Sequence, residues 1–227
     1  MLEKNIRMLL EKMDASAVIF DLDGTLVDNN NYHLKSWKQY IKSLGKEISE
    51  EEYNANINGR TNKDAAEYLF GKKMTREEAL VYGLEKEAVY REMYAPHIKP
   101  VDGLLDFLAT LKLLNIPMAI ATSGIQVNID FMFEHIPIRE YFAVVVNSAH
   151  INKGKPDPEI YLKAAELLEV TPESCLVFED AVVGINAARA AGMRVVAIST
   201  THPVDELQLA DLIVKDFNEL NEGISGW

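Results

Sequence analysis

A doubly wound α/β fold, a Rossmann-like parallel sheet carrying an inserted all-helical cap, is predicted by three observations on the 227-residue chain. Short continuous apolar runs recur, helical patterns separate them, and one long helical interval breaks the alternation. The runs fall at 17–20, 118–121, 142–146, 176–178 and 195–198, with a weaker one at 212–214. Being apolar at every position rather than every second one, they suit strands covered on both faces. Helical spacing appears over 103–114, about 125–135, 157–169 and 182–191. Strand alternating with helix argues for βαβ units and a parallel sheet.

The interval 29–98 contains no comparable run and reads as several helices. Lying between the first and second strands, it is expected to form the cap, with 1–28 and 99–227 as the α/β core. The Asn-rich stretch 29–31 marks the exit from the core, and Pro96 and Pro100 bracket the return. Two linkers side by side make a hinge, so the cap is expected to act as a lid. Within residues 1–15, Leu2, Ile6, Leu9, Leu10 and Met13 recur at helical spacing. That pattern predicts an amphipathic helix docked on the body of the protein. Its scattered charges distinguish it from a secretory signal.

Apolar residues at 48% and charged residues at 26% fit a soluble globular chain. No apolar run approaches the roughly 20 residues that span a bilayer, so no membrane partner is expected. The formal net charge of −12 counts against nucleic acid, which demands clustered Lys and Arg. An anionic substrate also gains nothing from that overall field, so a phosphate site must be built locally from a metal, a lysine and backbone N–H groups. The single cysteine, Cys175, lies in an apolar run and reads as a packing residue. A cytoplasmic monomer is the expectation.

The strongest chemical signal is FDLDGTLVD at 20–28. Asp21 and Asp23 stand two apart at the C-terminal end of a buried strand, where carboxylates are costly unless a cation meets them. That edge is also where parallel sheets place their sites. Gly24 permits a sharp turn, which Thr25 can tie to the backbone. A solvated Asp-Gly turn would account for Asp23 and Gly24 but not for Asp21. Glu179 and Asp180 repeat the pattern after the run at 176–178, and such oxygen-only donors suit Mg²⁺ rather than zinc. Lys155 precedes Pro156 and Pro158, which stiffen the approach to a helix with Asp157 as its N-cap; Lys153 is a rival two residues away. In AIATSG, 119–124, Thr122 and Ser123 end a strand, a place where hydroxyls also serve as plain caps. Gly184 and the Ala-rich helix around it read as packing features.

Taken in order, these segments resemble the motifs of the haloacid dehalogenase superfamily of phosphotransferases, over nearly the whole chain after residue 16. The resemblance implies that Asp21 attacks the phosphoryl group and that Asp23 protonates the leaving oxygen, then activates water. It implies that Thr122 and the Ser123 backbone N–H hold the phosphoryl group, that Lys155 bridges it to the nucleophile, and that Asp21, the Asp23 carbonyl, Asp180 and Glu179 hold Mg²⁺. YHLKSW resembles a segment of the β-phosphoglucomutase branch and places His33 and Trp37 near the substrate. His33 would brace Asp23 or relay protons, or is an ordinary helix histidine. NGRTNKDA, 58–65, resembles that branch's lid loop, which brings Gly59, Arg60 and Thr61 to the substrate. The mutases carry a lysine before the loop glycine and an arginine three residues after it to grip a second phosphate. Asn58 and Asn62 stand there in this chain, and Arg60 offers one planar fork instead. The other histidines, His97, His135, His150 and His202, have no metal-ligand spacing and read as structural or solvent-facing. The expected function is a Mg²⁺-dependent phosphohydrolase acting on a small phosphorylated metabolite, foremost a sugar phosphate, through an aspartyl-phosphate. A β-phosphoglucomutase, an inorganic pyrophosphatase and a non-catalytic binding protein are the alternatives.

Overall fold

The structure, a computed structural model, describes residues 1–224. Among these, one parallel sheet is built from β1 (Ala17–Phe20), β2 (Met118–Ala121), β3 (Val144–Val146), β4 (Cys175–Glu179), β5 (Arg194–Ile198) and β6 (Leu212–Val214). The strand order is β3-β2-β1-β4-β5-β6. Every residue of β1, β2 and β4 is buried, which is why their sequences are apolar without alternation. The order reverses at β1, so the chain leaves the sheet in opposite directions from neighbouring strands. A crevice opens there, at the C-terminal ends of β1 and β4.

The two faces of the sheet have different cores. Val18, Phe20, Ile120 and Phe178 point to one, where α1 (Leu2–Lys12), α6 (Leu104–Leu113), α7 (Gln126–His135) and α10 (Phe217–Glu222) pack. Phe20 stacks on Phe178 at 5.1 Å between ring centroids, and Phe107 and Phe217 close the cluster. Burying each such ring contributes about 1.5–3 kcal/mol. Ala17, Ile19, Ala119 and Ala121 point the other way, and their small side chains let α8 (Glu159–Leu168) and α9 (Val182–Ala190) approach closely. Ile6, Leu9, Leu10 and Met13 are buried, and α1 packs on α6 and α10.

Between β1 and β2 lie α2 (Asn30–Ser43), α3 (Glu50–Asn56), α4 (Asn62–Phe70) and α5 (Arg76–Tyr94). They enclose a cluster of their own around Trp37, Tyr40, Ile41, Tyr53, Ile57 and Ala65. The start of α5 is fixed by a capping box, Thr75 with Glu78. Its far end, Tyr90 and Tyr94, joins the main core instead, so one unbroken helix ties cap to core.

Two local expectations differ. The strand expected at 142–146 begins only at Val144, because Arg139–Tyr141 forms a 3₁₀ turn that Phe142 closes by donating its N–H to the Arg139 carbonyl. The N-cap position of α8 is Pro158 rather than Asp157, although Asp157 still accepts from the Glu159 N–H at 3.1 Å.

Candidate active site

The Asp21 N–H donates to the Phe178 carbonyl at 2.9 Å, which extends the β1–β4 pairing to the nucleophile candidate itself. Lys155 Nζ reaches it from the loop before α8, donating to Asp21 Oδ1 at 2.6 Å and to Glu179 Oε1 at 2.5 Å. Lys153, the rival, has a side chain 74% exposed and pairs with Asp157 at 3.4 Å. Lys155, not Lys153, is therefore the lysine at Asp21.

Glu179, expected as a magnesium ligand, has both carboxylate oxygens engaged by protein donors. Its Oε1 accepts from Lys155 and from the Tyr161 hydroxyl at 3.0 Å. Its Oε2 accepts the backbone N–H groups of Asp180 and Ala181, both at 2.8 Å. With both oxygens so engaged, Glu179 acts in this arrangement by aiming Lys155. Gly184 is also more than a packing feature, since a Cβ there would overlap the Glu179 carboxylate. Gly184→Ala is expected to cost about 1–3 kcal/mol of stability in chemical denaturation. It should also lower kcat/KM about a hundredfold, through displacement of Lys155.

Asp180 faces the crevice. Its Oδ1 accepts from Thr25 Oγ1 at 3.4 Å and its Oδ2 from Asn30 Nδ2 at 2.8 Å. Gly24, at φ +82°, turns beneath them where any side chain would collide with Asp180 and Asn30. Burial pushes the Asp21 carboxyl up to about 8, with Glu179 and Asp23 adding to the effect and Lys155 opposing it. Burial, Glu179 and Asp21 likewise raise Asp180. Burial alone would lower Lys155, but Asp21 and Glu179 outweigh it and hold the ammonium charged. Three buried carboxylates thus share one lysine. No three acidic, histidine or cysteine side chains among the described residues are already gathered around a metal-sized point.

Asp23 is braced from the cap. Asn29 Nδ2 donates to its Oδ1 at 2.6 Å, while Asn29 Oδ1 accepts from the Gly24 N–H at 3.0 Å. His33 Nε2 lies 3.3 Å from the same Asp23 oxygen, and its ring stacks on Tyr90 at 3.8 Å. Lys86 Nζ sits 2.7 Å from His33 Nδ1. An ammonium can only donate, so Nδ1 accepts and Nε2 carries the proton that faces Asp23. Burial would raise the Asp23 carboxyl, but His33, Asn29 and Lys86 together pull it below the ordinary range. Behind Lys86 stands Glu87, which accepts from Lys86 at 3.0 Å, from Asn62 at 3.0 Å and from Asn128 of α7 at 2.7 Å.

None of Asn29, Lys86, Glu87 or Asn128 is singled out by sequence reasoning. Adjacent opposite charges on a helix ordinarily mark a solvated face. The signal was register: Lys86 and Glu87 share the buried stripe of Ala79, Gly83, Tyr90 and Tyr94.

The enclosed space between these groups is a cavity of 60 Å³, bordered by Thr122, Ser123, Trp37 and the lid-loop residues Asn58, Gly59 and Arg60. Thr122 Oγ1 accepts from the Gly124 N–H at 2.9 Å. Ser123 Oγ donates to the Gly59 carbonyl at 3.0 Å, latching core to lid. Arg60 Nη2 lies 3.4 Å from the Ala55 carbonyl. Thr61 is not part of the cavity wall; it is the N-cap of α4, accepting from the Asp64 N–H at 3.2 Å. His202 is held between two side chains, with Asn58 Nδ2 3.4 Å from its Nε2 and Glu206 Oε2 2.7 Å from its Nδ1. His97 stacks on Tyr32, while His135 and His150 make local backbone contacts. A space of 60 Å³ is well below the roughly 300–1,000 Å³ of small-molecule sites, so a metabolite-sized ligand needs cap and core to part.

Residues 18–198 match the family model described as haloacid dehalogenase-like hydrolase. The chain belongs to this family. It is 32% identical to the β-phosphoglucomutase of Bacillus subtilis over 90% of its own length and 91% of the relative's. It is 29% identical, over 89% of its length, to the chloroplastic 5-amino-6-(5-phospho-D-ribitylamino)uracil phosphatase of Arabidopsis thaliana, of which it spans 55%. The crystal structure of a haloacid dehalogenase hydrolase of family IA, variant 3, from Entamoeba histolytica superposes with a TM-score of 0.79. That alignment has 36% identity and covers 91% of this chain and 99% of the other. The protein is accordingly an enzyme of the phosphatase and phosphoglucomutase-like group. Among the described residues no helix is long and apolar enough to cross a membrane.

Proposed function

We propose that this haloacid dehalogenase-like enzyme is a Mg²⁺-dependent phosphohydrolase of a small phosphorylated metabolite, working through an aspartyl-phosphate on Asp21. The reading is supported by a lysine 2.6 Å from a buried strand-end carboxylate, beside a second carboxylate braced by a histidine. Asp21 Oδ attacks phosphorus, the bond from phosphorus to the substrate alcohol breaks, and Asp23 gives its proton to that leaving oxygen. Asp23 then takes a proton from water, the water oxygen attacks phosphorus, and the bond to Asp21 breaks to release orthophosphate. His33 holds Asp23 as the anion in the substrate-free enzyme, and an incoming phosphate dianion raises its proton affinity so that it enters the first step protonated. Lys155, aimed by Glu179, faces the transferring group, with Thr122 and Ser123 beside it.

The excess of buried carboxylate over cation fits a divalent metal held by Asp21, Asp180 and the backbone carbonyl of Asp23. When bound, Mg²⁺ neutralises the mutual repulsion of carboxylate and phosphate. Glu179 is left out of that set because its oxygens are engaged elsewhere.

Hydrolase is favoured over mutase by one observation. Asn62 stands where a mutase needs a cation for a second phosphate, and its amide is bonded to the Glu87 carboxylate at 3.0 Å. Hexose and pentose phosphates, together with pyrophosphate, should be assayed with Mg²⁺ for release of inorganic phosphate. Conversion of β-glucose 1-phosphate to glucose 6-phosphate, primed by the bisphosphate and without free phosphate, would overturn the reading.

A further inference from the structure

Beside the reaction cavity lies a second cleft, of 450 Å³, between cap and core. Its cap wall is made by Leu80 and Leu84 of α5, and its core wall by Ile125, Val127 and Ile151. Leu80, Leu84 and Val127 are 48%, 40% and 44% exposed, unusual for large apolar side chains that face one another across a gap. The Arg76 guanidinium donates to the carbonyls of Ala149 and Ile151, so the two walls are strapped together only while the cap is down.

The cleft adjoins the candidate active site. Asn62 lines both spaces, and its side chain lies against the bare backbone of Gly83, so the partition between them is one residue thick. Gly154 on the cleft floor directly precedes Lys155, and Ile125 directly follows Gly124 of the reaction cavity. The cleft falls within the roughly 300–1,000 Å³ of small-molecule sites, whereas the reaction cavity does not.

We propose that this cleft is a leaving-group subsite that takes an apolar ring or chain carried on the alcohol of a phosphate monoester. The assignment rests on the phosphatase reading and narrows its substrate class. A purely hydroxylated sugar would leave the leucine, isoleucine and valine walls wet, while an apolar group covers them. A protein segment lodged between cap and core would hinder the opening that the reaction cavity requires, which favours a small molecule. Because the walls come from both halves, an occupant of the cleft binds the closed form better than the open one. It therefore promotes formation of the assembled site as well as binding. The chemical step is unchanged: phosphorus passes to Asp21, the ester bond breaks, and the alcohol departs with the Asp23 proton.

Ethyl phosphate and phenethyl phosphate make the test, since both release a primary alcohol of similar acidity and differ in one apolar ring. With Mg²⁺ and the full chain, kcat/KM for phenethyl phosphate should exceed that for ethyl phosphate by about tenfold or more. Leu84→Asp, on a half-exposed helix position, should remove that preference, bringing the two kcat/KM values within about twofold of each other. Equal rates for the two esters in the unaltered protein would overturn the subsite and leave the phosphatase reading standing. A preference that survives Leu84→Asp would also overturn it. Hydrolysis of neither ester, nor of any hexose phosphate, would overturn the subsite and the phosphatase reading together.

Discussion

Asp21→Asn is expected to abolish phosphate release, by about 10⁴-fold or more in kcat, while leaving the protein folded. The amide has the shape of the carboxyl but cannot attack phosphorus at a useful rate, and no phosphoryl group should be found on the chain by mass spectrometry. The fold should tolerate the change because Lys155 keeps Glu179 as a partner at 2.5 Å. A second consequence follows from burial. The Asp21 carboxyl titrates at about 8 in the fold against 3.8 for the free group, so between those values the folded state binds more protons than the unfolded one. Stability of the chelated protein should thus fall as pH rises through that window. Asp21→Asn should flatten that slope in denaturant titrations at pH 5 and pH 8. Unchanged turnover in the variant would remove Asp21 from the chemistry altogether.

Asp21 was legible in the sequence because a carboxylate emerging from four buried apolar residues has no cheap structural explanation. Asp180 was legible through the same contrast between charge and apolar surroundings, and Lys155 through the prolines that follow it and its resemblance to the family lysine. Glu179, expected to hold the metal, is turned toward Lys155 for a reason visible in strand geometry. It is the last residue of β4, and successive strand side chains point to opposite faces. Phe178 enters the face lined by Phe107, so Glu179 turns to the other, where Tyr161 and Lys155 wait. A run of two acids does not reveal which of them continues the strand. Gly184 acquires its role only through that turn. Lys86, Glu87, Asn128 and His202 were hidden for another reason, since the contacts that join them across the site, Lys86 to His33, Glu87 to Asn128 and His202 to Asn58, span between 41 and 144 residues of chain. What joins them is the docking of the cap, and no local pattern encodes a docking. The fold itself was easier, because strand and helix periods are local properties, and only the ends at Phe142 and Asp157 shifted.

The metal reading meets its sharpest check in Asp180→Asn, for which stability and activity are expected to move in opposite directions. Without metal, Asp180 is a buried acid whose carboxyl is raised by burial and by its neighbours Glu179 and Asp21, with neutral donors, Thr25, Asn30 and Thr201, on its oxygens. An asparagine can keep the Asn30 contact through its oxygen and offer its amide to the threonine hydroxyls. Removing the charge at constant shape should therefore stabilise the chelated protein by about 1–3 kcal/mol. The same change takes a carboxylate from the group proposed to hold Mg²⁺, so kcat should fall about 10³-fold. The rise in Tm that Mg²⁺ gives the unaltered protein should shrink or vanish. A merely structural Asp180 predicts the reverse: loss of stability on substitution, with the response to Mg²⁺ intact. Tm measured for both proteins, in chelator and in Mg²⁺, separates the two cases, because a buried acid that costs stability in the empty site is retained only if something cationic occupies it during work.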